Sequence, residues 1–399
     1  MNASANLPYE GLKVLDLSQG VAGPYCAEIL LQSGADVVKV EPPAGDWGRT
    51  IGMAPGGMSA ITIVYNLGKR SICIDAARPE GRALMRRMAE QADVIVESFR
   101  PGVMDRFGLS YAKLSRERPG LVYVSVTAFG PDGPYADRPG SDSTLQALSG
   151  LMVANRDAKA NPRKVGVLLV DVATGIYAAQ AAGAALYRRA VQGKGAHVQV
   201  SLLDAAAAVQ GNAIVDATLG GGQAARPFSV PAGTFATADG HINVSSLHDR
   251  MFAGLCRATG REAWLSDPRF STAQARFAHA DEINANLEST FRDKPTAHWL
   301  QELRGYSVVC GPVCGYPEFL ADPHVRHRNI FQEIAQQGIP PVPVPRVPGA
   351  AQDAAPKPAP IAGEHTVEIL VDLGLGADEI DALFGAKAIS APARPSQPV

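Results

Sequence analysis

Over the first two hundred residues, short apolar runs alternate with segments in which apolar residues return every three or four positions. LKVLDL (12–17), ADVVKVE (35–41), SICID (71–75), DVIVE (93–97) and LVYVSV (121–126) read as buried strands. Pro24 opens a helical segment that Gly34 closes, and Pro79–Gln91 is a second; proline in a first turn and glycine past a last turn are helix signals. Strands alternating with helices of about ten to fifteen residues imply parallel pairing. The expected class is therefore α/β, with a Rossmann-like large domain on a parallel sheet.

Further along, VGVLLVDVATGIYAAQAAG (165–183) holds one charged side chain, Asp171. The run tempts a membrane reading, but a carboxylate near its middle and its many Ala and Gly residues argue for a strand followed, from Asp171, by a closely packed helix. A second small-residue helix follows HVQVS. GTFATADGHINVS carries a hairpin signal at Asp239-Gly240, and amphipathic helices fill 248–304. Residues 340–360 contain eight prolines and read as an extended linker. The expected organisation is a large domain over 1–215, a glycine-rich linker over 216–227 and a small α+β domain over 228–325. A proline-rich return linker over 326–362 leads to C-terminal helices over 363–399 that complete the large domain.

Composition narrows the function. The 399 residues are 46% hydrophobic and 19% charged with net charge −2, so no global basic field would draw nucleic acid or an anionic membrane. Any anionic ligand must be held locally. Five cysteines are an odd number, spread thinly, which fits a reducing cytoplasm better than a disulfide scaffold. Cys310 and Cys314 form C-x3-C without a second pair, and His324 with His327 reads as a solvated helix face, so no metal is expected. MNASANLPYEGLK lacks the basic and apolar regions of a secretory leader.

The stretch VLDLSQGVAGPYCAEILLQSGADVVKVE has the strand–turn–helix–strand–acid outline of a dinucleotide site. Its turn, Gly20-Val21-Ala22-Gly23-Pro24, departs from G-x-G-x-x-G, and Pro24 has no N–H for a pyrophosphate. NAD binding is not expected.

Six segments in order, GLKVLDLSQGVAGPYCAEILLQSGADVVKVEPPAGDWGR, NLGKRSICID, DVIVESFRPGVMDRFGLSY, AFGPDGPY, QALSG and GKGAHVQVSLLDA, resemble the family III CoA transferases, which include carnitine CoA-transferases and α-methylacyl-CoA racemase. Further matches are ATADGHINV, GPVCGYPEFLADPHVRHR and GEHTVEIL. The resemblance makes Asp171 the nucleophile. From the residues alone Asp171 is either a helix cap or a reactive carboxylate; as a cap it would accept free N–H groups and be ionised at neutral pH.

The resemblance implies acyl transfer through a mixed anhydride and an aspartyl-CoA thioester, with coenzyme A as substrate and product and no metal. It assigns Phe99, Arg100, Arg106 and Phe107 in ESFRPGVMDRFGL to the nucleotide, with Ser98 and Val21 beside them and Lys69 and Arg70 as phosphate ligands. Arg pairs with phosphate and an aromatic face stacks on adenine. Oxyanion donors are expected from the start of the 171 helix or from loop 219–223, where Gly220–Gly222 resembles a mobile loop of some members. The implied partners are an acyl-CoA donor, a small carboxylate acceptor (a dicarboxylate favoured) and a second copy in an intertwined ring-like homodimer.

Two departures count. Val21 stands where formyl-CoA:oxalate transferases carry glutamine, and Ser141 stands where racemases carry a catalytic histidine. Serine is a poor base at neutral pH, so an acyl-CoA racemase or epimerase is the secondary reading. A non-catalytic CoA-binding protein is the alternative of another class.

Overall fold

The computed structural model describes residues 7–157, 159–221, 229–350 and 357–392. The chain divides into two units, Met1–Ile214 with Ile330–Val399, and Val215–Asn329.

In the first unit, β1 (Lys13–Asp16), β2 (Asp36–Glu41), β3 (Arg70–Ile74), β4 (Val94–Glu97), β5 (Val122–Thr127) and β6 (Ala196–Ser201) lie in the order β3-β2-β1-β4-β5-β6. All their pairings are parallel. Ile389–Ser390 closes the β3 edge in antiparallel register. Alternation along each strand sends side chains to two buried faces. Val14, Val94, Val96, Val122 and Val124 enter one core, and Leu15, Ile95 and Tyr123 enter the other. The strand order reverses between β1 and β4, where open α/β sheets offer a crevice beyond the strands' carboxyl ends.

The helices are α1 (Ala22–Gln32), α2 (Ala60–Tyr65), α3 (Pro79–Gln91), α4 (Val103–Arg106), α5 (Tyr111–Glu117), α6 (Asp142–Leu148), α7 (Leu151–Ala154) and α8 (Leu169–Gln192). By length and composition α8 is apolar enough to cross a membrane. Most of its alanines instead face the protein interior: Ala178 and Ala182 are fully buried in the core that also takes Cys26, Ala27 and Leu30 of α1. Small side chains let the two helices approach closely, so the run is apolar because it packs. No strand precedes α8. Residues 165–168 run without regular structure into a helix that starts at Leu169 rather than Asp171, a first correction.

The proline-rich stretch differs from expectation too. Within 326–362, the strands Phe331–Ile334 and Val342–Pro345 form an antiparallel pair. Ile334 and Val344 are buried with Met58, Ile63 and Leu67 in a small separate core. Pro343 and Pro345 fit because a two-stranded ribbon is all edge and leaves unpaired positions for residues lacking an N–H. Helices Thr366–Asp372 and Ala377–Gly385 then add Ile369, Leu370 and Ile380 to the second core.

The second unit holds a three-stranded antiparallel sheet of Ala232–Ala236, His241–Ser245 and Val309–Pro312, covered by helices. Its core contains Phe235, Ile242, Phe252, Leu255, Phe291 and Trp299. The Asp239-Gly240 turn joins its first two strands. Part of the 216–227 linker, and with it Gly222 and Gln223 of the glycine loop, lies outside the described residues.

Candidate active site

A cleft of about 460 Å³ opens beyond the carboxyl ends of β1, β4 and β5, at the reversal of strand order. Gln19–Gly23 follow β1, Ser98–Pro101 follow β4, and Ala136 with Arg138–Ser141 come from the segment after β5. Trp47 and Asp171 complete the walls.

The loop after β1 is held from beneath by buried charges. Asp16 accepts the backbone N–H of Ser18 at 3.0 Å and also its hydroxyl. Lys69 Nζ donates to Asp16 Oδ2 and to the Pro24 carbonyl, both at 2.8 Å. Lys39 Nζ donates to the Ser18 carbonyl at 3.0 Å and pairs with Asp46 at 2.9 Å. Asp46 in turn accepts the N–H groups of Gly20 and Gly48. Burial pushes the Asp16 carboxyl upward, but Lys69 and Lys39 outweigh it and hold Asp16 below the ordinary aspartate range. Gly20 sits at φ +80°, and a Cβ there would fall 2.1 Å from the Trp47 ring. Only glycine lets the loop pass under that tryptophan. Across the cleft, Ser98 Oγ accepts the Gln19 N–H at 3.0 Å and joins the two loops.

Asp171 lies in the first turn of α8 and faces the cleft. It does not cap the helix. Asp142, buried at the start of α6, does so from 29 residues upstream: its Oδ2 accepts the N–H groups of Val170 at 2.8 Å and Asp171 at 3.2 Å. Gln146 donates to Asp142 Oδ1 at 2.7 Å. Two free donors of the helix terminus are thereby satisfied by a neighbour, and neither remains for an oxyanion. No hydrogen bond to the Asp171 carboxylate occurs among the described residues. Burial first, then the Asp142 charge, pushes its pKa up to about 7 against a smaller opposing pull from Lys164. This corrects the expectation of a carboxylate fully ionised at neutral pH. Its environment supplies desolvation and a like charge where a cap would have supplied hydrogen bonds.

Of the residues expected at the ligand, Val21, Ser98, Phe99 and Arg100 share the cleft with Asp171. Phe107, directly after α4, packs edge-on against Phe99, with ring centroids 5.9 Å apart, and Arg106 is exposed at the end of α4. Both lie outside the cleft lining. Lys69 and Arg70 are not placed for a phosphate. Lys69 is 2% exposed, with its charge spent on Asp16. Arg70 sits at the amino end of β3, opposite the cleft, ion-paired to Asp36, Asp372 and Glu368. Trp47, Asp142 and Arg138 also line or support the site, though none is a candidate from the sequence. Asp142 had a local signal, the Ser141-x-x-Thr144 capping box that opens α6.

The Asp142–Asp171 arrangement sets a pH dependence. A carboxyl must lose its proton to attack, so kcat/KM is expected to rise with pH through about 7 and level off above it. Asp142→Asn keeps an acceptor for the helix N–H groups and removes the like charge, so the rising limb should move to lower pH, while its amide donor now faces the Gln146 amide and lowers stability by about 1–3 kcal/mol. A pH–rate profile of the two proteins checks this.

Comparison with known proteins places the chain. The family model described as CoA-transferase family III matches residues 9–366. The chain is 34% identical to succinate–glutarate CoA-transferase of Agrobacterium fabrum, over 92% of this chain and 96% of that protein. It is 35% identical to acetyl-CoA:oxalate CoA-transferase of Acetobacter aceti, over 81% and 85%. A CAIB/BAIF family protein from Brucella suis, solved by crystallography, is 35% identical with a TM-score of 0.81, covering 92% of this chain and 100% of that one.

Proposed function

The chain belongs to CoA-transferase family III, and we propose that it moves CoA from succinyl-CoA or a similar acyl-CoA to a small carboxylic acid through Asp171. One observation carries this reading. A half-buried carboxylate without a hydrogen-bond partner among the described residues, its pKa raised to about 7, faces a cleft built by the loops after β1 and β4. Desolvation leaves such a group more basic, and so more nucleophilic, once it is ionised.

The Asp171 carboxylate attacks the thioester carbonyl carbon, and the carbon–sulfur bond breaks to release CoA thiolate. The mixed anhydride is then attacked by that thiolate at the Asp171 carbonyl. The donor leaves as its carboxylate, and an aspartyl-CoA thioester remains. The acceptor carboxylate attacks this thioester and expels CoA thiolate once more. Finally the thiolate takes the acceptor's acyl group and frees Asp171. Charge and atoms balance at each step with no redox partner. Val21, Ser98, Phe99 and Arg100 are suited to the pantetheine and nucleotide parts, with Arg106 and Phe107 farther out.

Relatives named for glutarate and oxalate support a dicarboxylate acceptor. We further read the enzyme as a cytoplasmic homodimer. All five cysteines are unpaired, and the outward face of α8 leaves Ile176, Tyr177, Tyr187 and Val191 exposed, the kind of apolar stripe a second copy covers. Racemisation gains nothing from the site: the Ser141 hydroxyl is engaged with Thr144 in the α6 cap.

The test is a transfer assay in which succinyl-CoA is offered with separate carboxylic acids and new acyl-CoA species are read by mass spectrometry. A new acyl-CoA from wild type alone, and not from an Asp171 variant, is expected. Deuterium incorporation at the α-carbon without transfer would move the protein to the racemase reading.

A further inference from the structure

We propose that Arg138 sets acceptor specificity by holding the far carboxylate of a dicarboxylic acid, an inference that rests on the CoA-transfer reading above. Among the residues lining the cleft only Arg100, Arg138 and Asp171 carry charge. Neither arginine has an ion pair among the described residues, so the cleft has cationic capacity that its own carboxylate does not use. Arg100 belongs to the loop that continues through α4 to Arg106 and Phe107, the side suited to a nucleotide. Arg138 belongs to the separate segment that follows β5.

The position of Arg138 is built rather than incidental. Its guanidinium carbon lies 3.8 Å from the centroid of the Tyr135 ring. That ring meets Phe129 edge-on at 5.6 Å, and Phe129 packs against the core beneath the sheet. The Arg138 N–H donates to the Tyr135 carbonyl at 2.9 Å, closing a turn. Two residues later Gly140 is pressed so close to the end of β5 that a Cβ would fall 2.5 Å from Ala128 Cβ and 3.0 Å from Leu145 Cδ2. Stacking occupies the face of the guanidinium and leaves the N–H groups around its rim for a planar anion.

The same segment is coupled to the nucleophile. Ser141 and Asp142 follow directly, and Asp142 clamps the backbone N–H of Asp171 at 3.2 Å. The stretch from Arg138 to Asp142 thus ties Arg138 to the start of α8, where Asp171 lies. In the transfer reaction one carboxylate of the acceptor is consumed at the Asp171 thioester. A monocarboxylic acid then has nothing to offer Arg138, whereas a dicarboxylic acid presents its second carboxylate for a bidentate, charge-assisted pair.

The experiment is a competition assay. Glutarate and pentanoate are supplied together with one acyl-CoA donor, and the ratio of glutaryl-CoA to pentanoyl-CoA reads acceptor discrimination independently of the donor step. Wild type is expected to favour glutarate. Arg138→Gln should shift the ratio toward pentanoyl-CoA by about 10- to 100-fold, the range for losing a hydrogen-bonded charge contact. Arg138→Lys should keep part of the preference, because an ammonium retains charge but not the fork. A ratio unchanged in Arg138→Gln, or a wild type that prefers pentanoate, overturns the proposal. A wild type that forms neither product from any acyl-CoA sinks the CoA-transfer reading itself, and the proposal falls with it.

Discussion

Replacing Asp171 by alanine or asparagine is expected to lower kcat by about 10⁴-fold or more, because the covalent route disappears when its nucleophile does. Asparagine is the more telling change. It keeps the shape of the side chain, cannot form an anhydride, and removes a charge that burial and Asp142 both disfavour. Wild-type Asp171 holds its proton up to about pH 7 in the folded state, against 3.8 for an ordinary aspartate. A raised carboxyl pKa means the folded chain binds the extra proton, so its contribution to stability is full below 3.8 and is lost as pH climbs through about 7. Asp171→Asn should therefore melt at or above the wild-type temperature, with the gap widening as pH rises from 3.8 to about 7 and constant above that, while transfer falls to background. Thermal melts across pH beside transfer rates separate a catalytic carboxylate from a structural one.

The second large effect is on stability and lies beneath the cleft. Lys69→Met is expected to cost about 3–5 kcal/mol, because removing one partner of a buried pair leaves the other uncompensated. Asp16 would keep only Lys39 as a neighbouring cation, and the Pro24 carbonyl and Asn66 Oδ1 would lose their shared donor. In a thermal melt this should appear as a fall of roughly 5–15 °C. Acid should mimic it in wild type. The Asp16 pKa is lowered in the fold, so the stabilisation is complete above 3.8 and is lost as pH falls through the lower, folded value. A Lys69 variant with unchanged Tm and a higher KM for the donor would instead make Lys69 a phosphate ligand.

Much of the fold was legible because its signals are local. Strands such as Val94–Glu97 are continuous apolar runs, and α3 begins and ends where its proline and periodicity place it. Asp171 was legible for a related reason, since one charge in an apolar run is conspicuous. What lay beyond the sequence was the partner. Nothing local reveals that Asp142 takes the amides Asp171 was expected to cap, and that long-range contact changes both the hydrogen bonding and the pKa of the nucleophile. Lys69 and Arg70 show the same limit. Two adjacent cations look like phosphate ligands until the sheet brings Asp16 and Asp36 to them. The run before Asp171 failed differently, because a short apolar stretch has no period to separate strand from loop. In the 326–362 stretch, prolines concealed a ribbon whose edges tolerate them.

The covalent bond between Asp171 and CoA can be trapped. Wild type would be incubated with succinyl-CoA without an acceptor, quenched with hydroxylamine, digested, and the peptide containing Asp171 read by tandem mass spectrometry. Hydroxylamine cleaves an aspartyl thioester or anhydride to leave a hydroxamate on the side chain that carried it. A hydroxamate on Asp171 is expected, dependent on succinyl-CoA and absent from Asp171→Asn. A transfer-competent enzyme that leaves Asp171 unmodified, or carries the mark on another residue, would contradict the covalent route.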